Sequence, residues 1–116
     1  MTRQVNVIYT RSSSDLQRSD SDIGQERRCR DALERMGIPQ RGFIFVADEA
    51  IGSRDGRAGF QMIKELISAG RLGVLVVTEM SRLSRSTNAT ELIQDIVFQG
   101  GRFISLSENI DTDRKG

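Results

Sequence analysis

The sequence contains no histidine and no tryptophan, and it has one cysteine and one proline in 116 residues. Without histidine, the chain cannot form a Ser-His-Asp or Cys-His catalytic arrangement. The single cysteine, Cys29, excludes an internal disulfide and fits a reducing cytosol. A zinc site of cysteine and histidine ligands is excluded as well. The only kind of metal site that remains possible is one in which carboxylates hold an ion of the Mg²⁺ type. Any catalytic serine must therefore work without an imidazole.

Long apolar runs and a strong net charge are also missing. No apolar stretch approaches the roughly 20 residues of a membrane span, and the N-terminal MTRQVNVIYTR lacks the apolar core of a signal peptide. The net charge is +1, so the total shows no electrostatic footprint of a nucleic-acid-binding protein. With 37% hydrophobic and 28% charged residues, the composition is that of a soluble globular protein. The length suffices for one domain with its own core.

Apolar patterns alternate between strand and helix along the chain. Four short apolar runs predict strands: VNVIY (5–9), FIFVA (43–47), VLVV (74–77) and FISL (103–106). Between them, apolar residues recur every three or four positions, which predicts three amphipathic helices. This order predicts a three-layer α/β/α domain with a mainly parallel sheet of flavodoxin-like topology and room for a short antiparallel edge strand. The continuous apolar runs FIFVA and VLVV predict strands buried on both faces.

Capping signals predict where the helices begin and end. The first helix presents Cys29, Ala32, Leu33 and Met36 on one face, with Ser21 or Asp22 as its cap and Gly37 at its end. The second helix ends at Gly70, and the third begins at Thr87 or Asn88 and ends at Gly100 and Gly101. The final SENIDTDRKG is polar and has no closing element, so we expect the natural protein to continue beyond residue 116.

Polar side chains collect just after each predicted strand, where open parallel sheets bind their ligands. They are Arg11, Ser12, Ser13 and Ser14 after the first strand, Asp48, Glu49 and Arg57 after the second, Glu79, Ser81, Arg82 and Arg85 after the third, and Ser107, Glu108 and Asp111 after the fourth. Guanidinium groups stabilise the negative charge that grows on a phosphodiester in its transition state. Serines among arginines therefore favour phosphoryl transfer. By this pattern alone the three serines are equal candidates for a nucleophile, and a solvated turn is the alternative.

Other motifs have simpler interpretations. Cys29 and Arg35 have the spacing of cysteine phosphatases, but they lie within an amphipathic helix, so we expect Cys29 to be a core residue. The glycine-rich GSRDGRAG (52–59) lacks the spacing of nucleotide-binding loops, and we expect this loop to deliver Arg54 or Arg57 to the site. Tyr9, at a strand end, suits packing or hydrogen bonding better than nucleophilic attack.

Several of these residues, in this order, resemble the catalytic domain of the serine recombinases, the resolvase/invertase family that includes large integrases and transposases. The matching set is Tyr9, Arg11, Ser13, Gln17, Gln25, Asp48, Arg57, the RLSR of residues 82–85, and ENIDT (108–112). The resemblance spans about residues 5–115. It implies that Ser13 is the nucleophile, that Arg11, Arg82 and Arg85 bind the scissile phosphate, and that Gln17, Gln25, Asp48 and Arg57 complete the site.

The resemblance also implies the reaction and its partners. Double-stranded DNA is cleaved through a 5′-phosphoserine linkage, strands are exchanged by subunit rotation, and religation needs no metal, ATP or other cofactor. The full-length protein is expected to form dimers and tetramers in the bacterial cytoplasm, associated with the nucleoid and not with a membrane. Residues 1–116 correspond to the catalytic domain, by itself a monomer or weak dimer, with a dimerisation helix and DNA-binding region expected after residue 116.

One position departs from the family pattern. Ser81 replaces the aspartate that usually precedes the arginine pair, which weakens any assignment of a proton acceptor there and leaves Asp48 as the nearby carboxylate. A non-catalytic, recombinase-like DNA-associated assembly module is therefore the second hypothesis. A flavodoxin-like phosphoacceptor domain is the third, but it would need acidic residues after the first strand, where this chain has arginine and serines.

Overall fold

The computed structural model describes residues 3–13, 21–51, 54–55, 57–83 and 88–113, with the backbone alone at residues 13, 50–51, 54–55 and 88. Its elements are β1 (Val5–Ser13), α1 (Asp22–Arg35), β2 (Phe43–Ile51), β3 (Arg54–Asp55), α2 (Ala58–Ser68), β4 (Leu72–Val77), a short 3₁₀ helix (Met80–Arg82), α3 (Asn88–Phe98), β5 (Arg102–Ser105) and β6 (Ile110–Asp111). The predicted alternation of strands and helices is confirmed.

The strands form one sheet in the order β3-β2-β1-β4-β5-β6. The four inner strands are parallel to one another, and the two-residue strands β3 and β6 pair antiparallel at the two edges. The expected mainly parallel sheet is therefore confirmed, with a short antiparallel strand at both edges. This topology brings the carboxyl ends of β1, β2, β4 and β5 to one side of the sheet.

The sheet separates two apolar cores, and β1 contributes to both. Val7 and Tyr9 belong to the core on the α2 and α3 side, whereas Ile8 packs with Cys29 and Leu33 of α1. Successive strand residues point to opposite faces of a sheet. Odd-numbered positions of β1 therefore belong to the α2/α3 face, and even-numbered positions belong to the α1 face.

The helix ends follow the capping signals of the sequence. The Ser21 side chain accepts a hydrogen bond from the Gly24 amide at 3.1 Å, so Ser21 is the cap of α1. Gly37 and Gly70 have φ angles of +74° and +70° just after α1 and α2, a left-handed conformation that favours glycine. Residue 87, one of two predicted caps of α3, lies outside the described residues. None of the helices that the structure describes is long and apolar enough to cross a membrane.

The predicted burial of β2 on both faces is wrong. Phe43 is buried, but Ile44 and Phe45 are 42% and 38% exposed. The outer neighbour β3 pairs only with residues 50 and 51, so most of β2 forms an edge of the sheet that the helices cover incompletely. In contrast, β4 lies between β1 and β5, and its residues 75–77 are fully buried as predicted.

Cys29 is fully buried in the α1-side core, which confirms its predicted structural role. Burial raises the pKa of its thiol from 9.0 to about 12. The folded chain therefore keeps this proton while the unfolded chain loses it above pH 9. The stability contributed by Cys29 is fully present below pH 9 and is lost as the pH rises toward 12.

This shift predicts that the free energy of unfolding decreases between pH 9 and 10 by up to about 1.4 kcal/mol per pH unit. Urea denaturation at closely spaced pH values measures the slope before most unfolded tyrosine ionises. Cys29→Ala is expected to lower stability at every pH because it leaves a cavity, but also to flatten this slope. An unchanged slope in Cys29→Ala would contradict the assignment.

Candidate active site

The structure brings five of the eight site residues expected from the sequence into one region, at the carboxyl end of β1. They are Arg11, Gln25, Asp48, Arg57 and Arg82. Ser13 is the last residue of β1, and its backbone is paired with Ala50 of β2. The remaining two, Gln17 and Arg85, lie outside the described residues.

Asp48 is a buried anchor that joins β1, β2 and the beginning of α2. Its Oδ2 accepts hydrogen bonds from the Tyr9 hydroxyl at 2.7 Å and from the Phe60 amide at 2.9 Å. Its Oδ1 accepts one from the Gly59 amide at 2.8 Å. Both amides belong to the first turn of α2, whose positive end favours a carboxylate. Asp48 thereby fixes the start of α2 against the end of β1.

Gly59 makes this close approach sterically feasible. A Cβ at this position would lie 2.4 Å from Val46 Cγ1 and 2.8 Å from Asp48 Oδ1. Any larger residue would therefore push α2 away from β2 or displace the carboxylate. The sequence pattern gave no indication of this requirement, because the two contacts join segments that are more than ten residues apart.

Tyr9 is a hydrogen-bond donor to Asp48 and has no exposed surface. Burial, followed by the hydrogen bond and the charge of Asp48, raises the pKa of Tyr9 above its ordinary value of 10.0. The phenol therefore remains protonated at neutral pH. The predicted packing and hydrogen-bonding role of Tyr9 is confirmed.

Arg57 directly precedes α2 and bridges this helix to the 3₁₀ helix. Its guanidinium lies 4.0 Å from the centre of the Phe60 ring, a cation–π contact. The same group donates a hydrogen bond from Nη2 to the backbone carbonyl of Leu83, the residue after the 3₁₀ helix. Arg57 is thus held at the site by groups from two elements.

Arg82 extends from the 3₁₀ helix to the end of β1. Its Nη1 donates to the Arg11 carbonyl at 3.0 Å, and its Nη2 forms an ion pair with Glu79 at 3.1 Å. The side chain is 11% exposed. These contacts place the Arg82 guanidinium beside the backbone of Arg11, two residues from Ser13.

Glu108 holds the start of the 3₁₀ helix, a role that the sequence did not reveal. Its carboxylate accepts the Met80 amide at 3.2 and 3.3 Å, and the Ser105 hydroxyl also donates to it. The sequence placed Glu79 and Glu108 after neighbouring strands, at the correct edge of the sheet. Their position was therefore predictable, but their partners were not.

Gln25 supports the end of β1 from α1. Its buried amide accepts the Arg11 N–H through Oε1 at 3.3 Å and donates to the Arg11 carbonyl through Nε2 at 3.2 Å. The pairing of β1 with β4 reaches only Ile8 and Val76, so the Gln25 amide replaces a neighbouring strand at Arg11. A buried backbone needs such partners.

The arrangement is suited to binding an anion. Three arginines, Arg11, Arg57 and Arg82, belong to segments that meet at the end of β1, and guanidinium groups bind phosphate oxygens in defined geometry. Within the described ranges, no group of three or more histidine, cysteine, aspartate or glutamate side chains could hold a metal ion. The chemistry that these side chains favour is stabilisation of a phosphate.

Comparison with known proteins supplies an independent finding. Residues 6–116 match the family described as Resolvase, N terminal domain. The fold is similar to the N-terminal catalytic domain of TP901-1 integrase, with a TM-score of 0.73, 26% identity and coverage of 96% of this chain and 84% of that one. No curated protein matches the chain.

Two further solved structures are similar in fold. A resolvase family site-specific recombinase from Streptococcus pneumoniae has a TM-score of 0.69 at 20% identity, covering 97% of this chain and 78% of that one. The C-terminal catalytic domain of ISC1926 TnpA, an IS607-like serine recombinase, has a TM-score of 0.62 at 18% identity, covering 87% and 68%. At these identities the likeness concerns the fold alone.

Proposed function

Because the chain belongs to the resolvase family of recombination enzymes, we propose that it cleaves and rejoins double-stranded DNA with Ser13 as the nucleophile. The observation that carries the proposal is the contact between Arg82 Nη1 and the Arg11 carbonyl at 3.0 Å. It brings Arg82 to the strand end that carries Arg11 and Ser13, where a phosphate could meet both arginines and the serine.

The contacts of Ser12 support Ser13 over its neighbour. The Ser12 hydroxyl donates to Asp22 at 3.1 Å, on the α1 face of β1. Alternate residues of a strand share a face, so position 13 belongs to the same face as Tyr9 and Arg11. This is the face on which Asp48 and the start of α2 lie. Ser12 is thus directed away from the arginines. Ser14 lies outside the described residues.

The proposed cleavage exchanges one phosphodiester for another. Ser13 Oγ loses its proton and attacks the phosphorus, and the bond from phosphorus to the 3′ oxygen of the DNA breaks. The 3′ oxygen leaves with a proton as a free hydroxyl, and the 5′ phosphate remains on Ser13. Attack by a 3′ hydroxyl on this phosphoserine reverses the step. Since the number of phosphodiester bonds is conserved, religation needs no external energy source.

Arginine charge is the main catalytic contribution that we propose. Arg11, Arg82 and Arg85 would bind the non-bridging oxygens, whose negative charge grows in the transition state. The Asp48 carboxylate accepts three hydrogen bonds, from the Tyr9 hydroxyl and from two amides of α2, which is the role of an anchor. We assign Asp48 and Gln25 to positioning. We assign Arg57 to supporting the arginine cluster, and Gln17 to the same supporting role by resemblance.

The partners that we propose are double-stranded DNA and further copies of the protein. Exchange of strands between two duplexes requires several cleaved ends to be held together, which fits assembly as a dimer and then a tetramer. We further propose that residues 1–116 form the catalytic domain of a longer bacterial protein that acts on the nucleoid.

The experiment that tests this function needs no knowledge of the DNA site. Cells expressing the complete natural protein are lysed under denaturing conditions, DNA-linked protein is purified, and the DNA is removed with nuclease. We expect the tryptic peptide of residues 12–18, SSSDLQR, to carry a residual nucleotide that fragmentation assigns to Ser13. A nucleotide on Ser12 or Ser14 would contradict the assignment. Recombination that proceeds in these cells without any adduct on this peptide would contradict the nucleophile role of Ser13 and favour the non-catalytic assembly module.

A further inference from the structure

Asp22, the first residue of α1, binds two hydroxyl groups on the same face of β1. Its Oδ1 accepts a hydrogen bond from Thr10 Oγ1 at 2.7 Å, and its Oδ2 accepts one from Ser12 Oγ at 3.1 Å. Thr10 is fully buried, whereas Asp22 and Ser12 are half-buried. A single carboxylate thus joins two alternate residues of the strand that leads to Ser13.

Gln25 completes this contact three residues further along α1. Residues three apart in a helix share a face, so Asp22 and Gln25 both contact β1. Gln25 binds both backbone polar groups of Arg11, the residue between the two that Asp22 binds. Three consecutive residues of β1 are therefore held from one side by the first turn of α1.

The contact lies where β1 has a paired strand on one side only. The pairing of β1 with β4 ends at Ile8, so from Arg11 onward β1 has β2 as its paired strand on one side only. Such a strand end is free to twist unless other groups hold it. Asp22 holds the hydroxyl groups at positions 10 and 12 on the α1 face and so restrains the twist of β1 just before residue 13.

We propose that Asp22 is a positioning residue for the nucleophile, acting through Thr10 and Ser12 on the backbone of β1. This inference rests on the proposed function of Ser13. Asp22 itself lies on the opposite face of β1 from Asp48, so it does not contact the reacting phosphate. Its effect is on the rate of the covalent step and not on DNA binding.

The test measures formation of the covalent adduct by the complete protein on a DNA site, identified by sequencing part of the DNA-linked material described above before its nuclease treatment. Displacement of a reacting group by about 1 Å costs on the order of a hundredfold in rate. We expect Asp22→Ala to slow adduct formation between tenfold and a hundredfold, with the dissociation constant for DNA unchanged. Thermal unfolding followed by circular dichroism verifies that the variant is folded under the assay conditions.

Two further variants separate positioning from other roles. Asp22→Asn keeps an oxygen for Thr10, and its amide can donate to Ser12, so we expect a rate within about threefold of wild type. An Asn variant as slow as the Ala variant would show that the negative charge is needed, and would overturn positioning. In a Thr10→Val, Ser12→Ala background, Asp22→Ala should have little additional effect, because its partners are already absent.

The outcomes distinguish this inference from the proposed function. If wild type forms no adduct, the assignment of Ser13 fails. If wild type forms the adduct and Asp22→Ala forms it at the same rate, only the role of Asp22 is overturned. A full additional loss from Asp22→Ala in the background that lacks both hydroxyls would likewise overturn it.

Discussion

Replacing Ser13 by alanine is expected to abolish the covalent protein–DNA adduct while binding of the DNA site survives. The substitution removes the oxygen that forms the bond to phosphorus, and no hydroxyl remains at that position to replace it. Cleavage should fall by at least about a thousandfold, as when other enzymes lose their nucleophile. Denaturing gel electrophoresis of labelled DNA measures the adduct, and a mobility shift measures binding.

Ser12→Ala is the matched control for this prediction. It removes an identical hydroxyl one residue away, on the α1 face, together with one of the two hydrogen bonds to Asp22. We expect adduct formation within about tenfold of wild type. An adduct that persists in Ser13→Ala and disappears in Ser12→Ala would reverse the assignment.

Unchanged cleavage in each of the Arg11→Ala, Arg82→Ala and Arg85→Ala variants would contradict the proposed phosphate-binding role of the arginines.

Replacing Asp48 by alanine is expected to have the largest effect on stability. Asp48 is 6% exposed, and its carboxylate accepts hydrogen bonds from Tyr9 and from two amides of α2. Its loss leaves three donors without this acceptor, among them the fully buried Tyr9 hydroxyl, and weakens the contact between α2 and β2. The expected decrease in the free energy of unfolding is about 3–5 kcal/mol, measured by urea denaturation.

Two controls show whether the anchor is the cause of that effect. Glu49→Ala removes an exposed carboxylate from the next residue of β2 and should change stability by less than about 0.5 kcal/mol. In Asp48→Asn, one acceptor oxygen becomes a donor that faces other donors, so a loss between those of the two Ala variants is expected. Equal stability of Asp48→Ala and Glu49→Ala would contradict the anchoring role.

The fold was largely predictable because its patterns are local. Continuous apolar runs identified the inner strands, and the recurrence of Cys29, Ala32 and Leu33 identified the buried face of α1. Burial of β2 was predicted wrongly for a nonlocal reason. An apolar run at Ile44 and Phe45 resembles a central strand in the sequence, and only the position of β2 beside the two-residue β3 exposes it.

The sequence predicted which residues lie together at the site, but it did not predict which groups they contact. Arg11, Asp48 and Arg82 each follow a parallel strand, so the topology alone brings them to one edge. The partners of each group depend on side-chain directions and on segments far apart in the chain. Asp22 looked like a helix cap, yet Ser21 is the cap and Asp22 binds two hydroxyls of β1.

The α/β alternation, the absence of imidazole chemistry and the group of hydroxyls and guanidiniums at the strand ends all follow from the order of amino acids. Composition excludes chemistry outright, and local periodicity specifies elements, so neither needs the tertiary structure. In contrast, the anchoring of α2 by Asp48 and the contact between Ser12 and Asp22 became evident from the packed structure. A hydrogen bond requires a defined distance and direction between two atoms, and both depend on how the helices pack on the two faces of the sheet.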